Sequence, residues 1–507
     1  MNETEEQFKK DFEASQKTDL SFDKSQLVTN APNVRHRMST GKKVAIILSC
    51  SFAGLLVILI GVPLAVLIGA SLRTDSSVKE YTKKYSMNEV KIAESNTFKS
   101  LNNVLYPDKK APERSTITSA EKEAYDNFAS KTYHALVDTS KQDNMSYNAI
   151  GLYSNLNDLE YAATAVNTKE LLNDLLGLDE AGRINFYNKM MLANSYAYDN
   201  NSIQVKNSAF FSNKFDYNPD YVGYLSQLYC EAYELDFMKA ADKMVEWVNE
   251  AVNEKGFIDK NFLDLNEETC LYLFSTLYFK NAWSHKYLKA NNLKDDFYLS
   301  ADNTIKADYM RHSYFAEKYY DYGSYVSFKD YYAYGYASIT YLVPKSTDDS
   351  IYDLTKNVNI FSEDEEKAVR GKESEFNPGY YNDIAINLQT PKFSLKAEVG
   401  FNKALESLGF TDMFDRNINT FGDAFTDEST LGYNMYLQKI KQKNEVAFNE
   451  DGTVVKSVSM GAMGGAMSAD PMEHDTLDVK LNQPFIYIIR DINDTPIFVG
   501  HVDDPTR

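Results

Sequence analysis

Glu445-Val446-Ala447-Phe448-Asn449-Glu450-Asp451-Gly452-Thr453 opens the C-terminal part of the chain, and the run VVKSVSMGAMGGAMSADPMEHD follows over 454–475. Two apolar runs come next, Pro484-Phe485-Ile486-Tyr487-Ile488-Ile489-Arg490 and Pro496-Ile497-Phe498-Val499-Gly500-His501-Val502. Both are rich in β-branched and aromatic residues and read as strands, with Asp491–Thr495 as the turn between them; Glu445–Phe448 reads as another strand. The run over 454–475 is different: it is small, flexible and without periodicity. A loop that long between firm strands is usually functional or disordered.

Upstream, the first strong helical pattern begins near Ser119. Ala124, Phe128, Ala129, Tyr133 and Leu136 recur at the spacing of one helix face. Further on, Ile203-Gln204-Val205, Leu271-Tyr272-Leu273-Phe274 and Ile384-Ala385-Ile386 read as strands, whereas Ala397–Leu408 reads as a helix on Phe401, Leu405 and Leu408. Helices and strands mix without βαβ alternation, which gives an α+β class. The 37 tyrosines suit half-buried sheet surfaces.

The 507-residue chain is 43% hydrophobic, enough for a core, and carries a net charge of −20 from 53 basic and 73 acidic side chains. That balance argues against nucleic acid, whose phosphates need a basic patch. Cys50 lies in an apolar run, leaving Cys230 and Cys270. Three cysteines make no disulfide framework; one bridge or two buried thiols are both open, and the thiols are favoured.

Val44–Leu72 contains no charged residue. As a helix it spans about 43 Å, against about 30 Å of bilayer core, so it crosses with tilt. It is longer than a signal peptide's apolar region, and 43 residues precede it, so a permanent anchor is favoured. Arg35, Arg37, Lys42 and Lys43 before it slightly outweigh Arg73 and Lys79 after it. The positive-inside rule then puts the N-terminus in the cytoplasm. The expected organisation is a disordered tail over 1–43, a transmembrane helix over 44–72, a stalk over 73–115 and one large domain over 116–507.

Catalytic motifs are missing. None of the six histidines forms HExxH, and the chain has no CxxC, no GxxxxGK[ST] and no GxSxG. Nothing calls for a metal or a cofactor, and no serine is marked as the nucleophile of a triad assembled across the fold.

The C-terminal stretch resembles the serpin family. Asn449-Glu450-Asp451-Gly452-Thr453 is similar to the family's hinge, Asn-Glu-Glu-Gly-Thr, and the Pro-Phe and Phe-x-Gly-x-Val strands to its close. Further matches run in the family's order: Thr168–Gly177, Val205–Phe211, Trp247-Val248-Asn249 with Gly256-Phe257-Ile258, Tyr278-Phe279-Lys280-Asn281-Ala282-Trp283, Pro391-Lys392-Phe393 and Leu408–Phe414. Each is weak by itself; the ordered set spans about 390 residues.

The resemblance implies a fold of three β-sheets, eight to nine helices and an exposed reactive-centre loop, here preceded by one transmembrane helix. It implies a protease inhibitor and not an enzyme. The protease cuts the loop and is held as an acyl-enzyme while the loop inserts into the central sheet as a new strand. The hinge residues would be Glu450, Asp451, Gly452, Thr453, Val455 and Ser457. Thr453, Val455, Ser457 and Ser459, which would face inward, are small and uncharged, and no proline interrupts 453–470. The family's spacing from Glu450 puts the cleaved bond between Ala466 and Met467, suited to an elastase-like or subtilisin-like protease; Met463 or Met467 are the other candidates for the residue read.

Trp283 would pack where insertion begins. The family's polar cluster beneath the opening sheet would correspond to Ser154, Ser275 and Gln442, with Gly151 standing where the family has another serine. These three are expected to bond one another. Two function classes follow: an extracellular serine- or cysteine-protease inhibitor at the cell surface, and a non-inhibitory serpin fold used for binding or adhesion.

Overall fold

The computed structural model describes residues 90, 92–140, 144–198, 201–316, 319–371, 383–427, 429–430, 432–454 and 475–507. Thr74–Arg507 forms a compact unit by itself. No helix among the described residues is long and apolar enough to cross a membrane. The segments read as a tail (1–43) and a transmembrane helix (44–72) lie outside the described residues.

Among the described residues three sheets make up the fold. The central one runs, from one edge, β1 (Phe98–Ser100), β5 (Cys230–Leu235), β4 (Asn201–Ser212), β6 (Leu271–Asn281), β16 (Gly452–Val454), β15 (Lys441–Asn449) and β14 (Phe393–Gly400), with β3 (Ser195–Tyr198) also paired to β4. A seven-stranded sheet has the order β12 (Ala368–Val369), β9 (Tyr319–Asp321), β10 (Tyr325–Tyr331), β11 (Ala337–Pro344), β18 (Phe485–Asp491), β19 (Pro496–Val502) and β2 (Asn144–Asn148). The third is β17 (Thr476–Lys480), β13 (Ile384–Pro391), β8 (Asn303–Ala316) and β7 (Leu293–Ser300).

Nine α-helices occur among the described residues: α1 (Ser119–Thr139), α2 (Ala149–Ala162), α3 (Val166–Leu176), α4 (Glu180–Ala193), α5 (Pro219–Gln227), α6 (Phe237–Ala251), α7 (Lys260–Leu263), α8 (Ile351–Thr355) and α9 (Asn402–Ser407). Thr118 and Glu121 form a reciprocal capping box that starts α1. The face predicted from spacing is inside: Phe128, Ala129, Tyr133 and Leu136 are buried.

The helix expected over Ala397–Leu408 is corrected. Residues 393–400 are strand β14, and only Asn402–Ser407 is helical. Leu395, Ala397 and Val399 are buried while Ser394, Lys396 and Glu398 are exposed, a period of two that outweighs the later helical spacing.

Alternation also divides the core. Phe210 and Phe274 point to the face covered by α6, where they pack with Trp247 and Phe237. Phe211 and Phe279 point to the opposite face and join the main core.

The segment read as a stalk is docked over its described end. β1 pairs with β5 (Phe98 opposite Leu235), and Phe98 stacks on Tyr233. Val90 N donates to buried Glu231 Oε1 at 3.0 Å, a carboxylate that also accepts from Trp247 Nε1 and Tyr233 OH, each at 2.6 Å. The edge of β5 gives this part of the chain a partner that no local pattern announces. Cys230 and Cys270 are both free thiols.

Asp491, closing β18, is a pH-sensitive point. Its Oδ1 accepts from Asn493 N (2.9 Å) and Thr495 N (3.0 Å), and Oδ2 from Asn194 Nδ2 (2.9 Å). Burial nevertheless dominates and pushes its carboxyl up to about 6. The folded state therefore binds the proton more tightly than the unfolded chain, and stability falls as pH rises from about 4 to about 6. This group accounts for about 3 kcal/mol of that fall. Asp126 and Glu231 are shifted the same way by burial. Urea unfolding of Asp491→Asn should therefore retain a slope, but a shallower one than the parent over that window; equal slopes would refute the assignment.

Candidate functional site

β15 and β16 form a hairpin whose turn is Glu450-Asp451, with Asn449 opposite Gly452. An Asx-type bond, Asp451 N to Asn449 Oδ1 at 2.9 Å, shapes the turn. Glu450 is not a solvated charge. Its Oε1 accepts from Asn292 Nδ2 and lies 3.3 Å from Lys392 Nζ. Burial alone would raise its carboxyl, but its own backbone N–H, Asn292 and Lys392 outweigh that and hold it below the usual range.

Gly452 sits at φ +142, and a Cβ there would collide with the main-chain oxygen of Asn281. Only glycine allows the hairpin's second arm to approach β6 so closely. Thr453 follows, fully buried, with its hydroxyl 2.6 Å from Tyr332 OH. Trp283 stacks on Tyr332 (centroids 4.8 Å apart, 14° between planes) and donates from Nε1 to Asn449 O at 2.8 Å. Trp283 thus holds the turn from one side while Tyr332 holds Thr453 from the other.

β16 lies between β6 and β15, antiparallel to both. Thr453 faces Asn281 and Phe448; Val454 faces Lys280 and Ala447. Below that point, among the described residues, β6 and β15 pair with no strand on their facing edges. A narrow slot of about 50 Å³ remains, lined by Ser275, Leu277, Gln442 and Asn444 among others. The chain reappears in another sheet, where β17 pairs in parallel with β13 and Asp475 O accepts from Ala385 N at 2.9 Å. The long run over 455–474 is therefore tethered at its ends to two different sheets. Val455, Ser457 and the candidate bond Ala466–Met467 lie outside the described residues.

The expected bonding among Ser154, Ser275 and Gln442 does not occur. Gln442 instead clamps the main chain of Asn148, accepting from its N at 3.0 Å and donating to its O at 2.9 Å. The Ser275 hydroxyl has no hydrogen-bond partner among the described residues, and Ser154 lies beside the Tyr187 hydroxyl and not beside Ser275 or Gln442. The physical reason lies at Gly151: a Cβ built there would lie 2.5 Å from Asn148 Nδ2 and 3.0 Å from Ser275 Oγ, so the place where the family has a serine is taken up by the Asn148 side chain.

Tyr332, Asn292 and Asn148 carry no local signal of these roles, since their partners lie more than a hundred residues away in sequence. Lys392 did stand inside a recognisable Pro-Lys-Phe stretch.

A family model described as Serpin (serine protease inhibitor) matches residues 123–505. Alpha-1-antiproteinase 2 of Equus caballus is 24% identical over 391 residues, covering 75% of this chain and 86% of its own. Plasminogen activator inhibitor 1 of Mus musculus is 24% identical over 397 residues, covering 75% and 91%. Among solved structures, the thermophilic serpin tengpin in its native state superposes with a TM-score of 0.61 at 19% identity, covering 79% of this chain and 97% of its own. Its latent state gives 0.60 at 20% identity, covering 77% and 99%. With the family model covering well over half of the sequence and the three-sheet architecture in agreement, this chain is a member of the serpin family.

Proposed function

We propose that the chain inhibits an extracellular serine or cysteine protease by cleavage and insertion of the 454–475 loop. The protease nucleophile attacks the carbonyl of Ala466, the amine of Met467 leaves, and the enzyme remains bound as its acyl ester or thioester. The observation that carries the reading is β16, whose Thr453 and Val454 are already paired to both β6 and β15, with no further strand between those two among the described residues.

The register extends downward one residue at a time. Val455 would come opposite Phe279 and Val446, Ser457 opposite Leu277 and Asn444, and Ser459 opposite Ser275 and Gln442. Ser459 would thus meet Ser275, a hydroxyl with no partner at present. On the other face Lys456 would stand opposite Glu445, a charge match. About ten new backbone hydrogen bonds at ~1 kcal/mol each supply on the order of 10 kcal/mol, comparable to the stability of a whole domain. That is a sufficient drive to displace and distort a captured protease.

The same proposal holds the domain outside a membrane by 44–72, with the N-terminus in the cytoplasm. Its support is the uncharged 29-residue run and the basic residues before it. The small Ala466 after Gly464 and Gly465 favours elastase-like or subtilisin-like targets.

The test mixes Thr74–Arg507, which includes the docked β1 segment, with a panel of such proteases and resolves the products on a denaturing gel. A covalent complex, with a released fragment beginning at Met467, is expected. Clean cleavage without a complex across the panel would instead leave the binding or adhesion reading.

A further inference from the structure

At the foot of the slot, on its open side, lies a cavity of about 920 Å³. This is within the size range of small-molecule sites, about 300–1,000 Å³. It runs between the start of β6 and the chain over 416–441. Its walls include Leu159, Phe215, Leu273, Phe425 and Met435, so rings and aliphatic groups face the space. Asn155 belongs to both this cavity and the slot. It is 7% exposed, and its Oδ1 has no partner among the described residues. A buried carboxamide oxygen left unpaired is costly, and a bound donor would relieve that cost.

Charge at the mouth narrows the chemistry. Lys214 donates to Glu267 O at 2.9 Å, Arg416 pairs with Glu268 at 3.2 Å, and Lys439 pairs with Asp264. A fourth lining cation, Lys441, pairs with Glu398, and Lys214, held on a main-chain oxygen, is offset by the carboxylate of that same Glu267, so the mouth presents opposed charges in near balance and offers no net attraction to an anion or a cation. The site suits a neutral molecule.

We propose that this cavity is a binding site for a neutral, ring-bearing apolar molecule with one hydrogen-bond donor directed at Asn155. We further infer that its occupancy stops loop insertion partway; this second element rests on the inhibitor reading above. The register gives the reason. Residues after Met460 would pass Leu273, Tyr272 and Leu271, and these three residues line the cavity. A ligand there occupies the space that the lower half of the inserted strand needs.

N-Phenyl-1-naphthylamine is a suitable probe: neutral, fluorescent in apolar surroundings, and carrying one N–H. Its titration into Thr74–Arg507 should give saturable enhancement. 8-Anilinonaphthalene-1-sulfonate, the same skeleton with an anionic group, should bind at least about tenfold more weakly. Leu273→Trp, which fills the cavity, should abolish the enhancement, and Asn155→Leu should weaken binding about tenfold. Each variant's unfolding transition is measured alongside, and if one variant does not fold, the other decides.

No saturable signal, or equal binding by a folded Leu273→Trp protein, would overturn the site. Equal affinity for the sulfonated analogue would overturn the neutral-ligand assignment. With a protease that forms a covalent complex, saturating probe should shift the products from complex to cleaved chain; an unchanged ratio would overturn the coupling to insertion. Saturable binding in a chain that traps no protease would retain the site and remove the inhibitor reading together with the coupling.

Discussion

Gly452→Ala should abolish covalent trapping of a target protease while leaving loop cleavage intact. The Cβ would collide with Asn281 O and lie 2.9 Å from Ala282 Cα, both of them main-chain atoms that cannot rotate away. The backbone there, at φ +142, is also one that a side chain rarely adopts. β16 must therefore leave its place between β6 and β15, and Thr453 loses its bond to Tyr332. Insertion is blocked at its first step, so the protease completes hydrolysis before it is displaced.

The expected result on a denaturing gel is at least a tenfold fall in complex, with cleaved chain in its place. Thermal unfolding gives an independent readout. Cleavage of the parent should raise Tm by on the order of 20 °C as the new strand forms, whereas the cleaved variant should show little rise. A variant that traps protease as well as its parent would show that the close approach at Gly452 is not needed for insertion.

Arg183→Leu should cost about 3–5 kcal/mol of stability. The guanidinium is buried on α4 and binds three elements: Nε donates to Asn157 Oδ1 (2.8 Å) and Nη2 to Glu160 on α2, while Nη1 donates to Asn173 Oδ1 on α3 (2.8 Å) and to Leu178 O (2.6 Å). Leucine fills part of the volume but leaves the Glu160 carboxylate buried without its cation. Urea denaturation should show the midpoint falling at nearly unchanged slope. Adding Glu160→Leu should restore part of the loss, because the stranded charge is then gone. A loss below about 1 kcal/mol would mean that water or local rearrangement compensates the carboxylate.

The hinge was the most legible part of the site because its requirements are local. A turn after a strand, a glycine at a backbone position closed to side chains, and a buried threonine beyond it are adjacent in the chain and left their mark in Asn449–Thr453. The polar cluster was less legible. Ser154, Ser275 and Gln442 could be picked out, but Gln442 turned to the main chain of Asn148, a group present at every residue and so invisible to sequence comparison. Ala397–Leu408 shows a related difficulty. One stretch carried both periods, and the pairing of β14 with β15 decided for a strand up to Gly400.

By itself the sequence determined the loop between two strand regions and the strands that close the chain, which are encoded by periodicity over neighbouring residues, and it carried the serpin architecture and the hinge as an ordered set of resemblances to that family. Only the tertiary structure decided that Phe98–Ser100 is docked on the β5 edge, that Glu450 is held by Asn292 and Lys392, that Gln442 grips Asn148, and that a cavity opens below the slot. These depend on groups far apart in the chain, whose meeting is set by packing and pairing across the whole domain and not by any local preference.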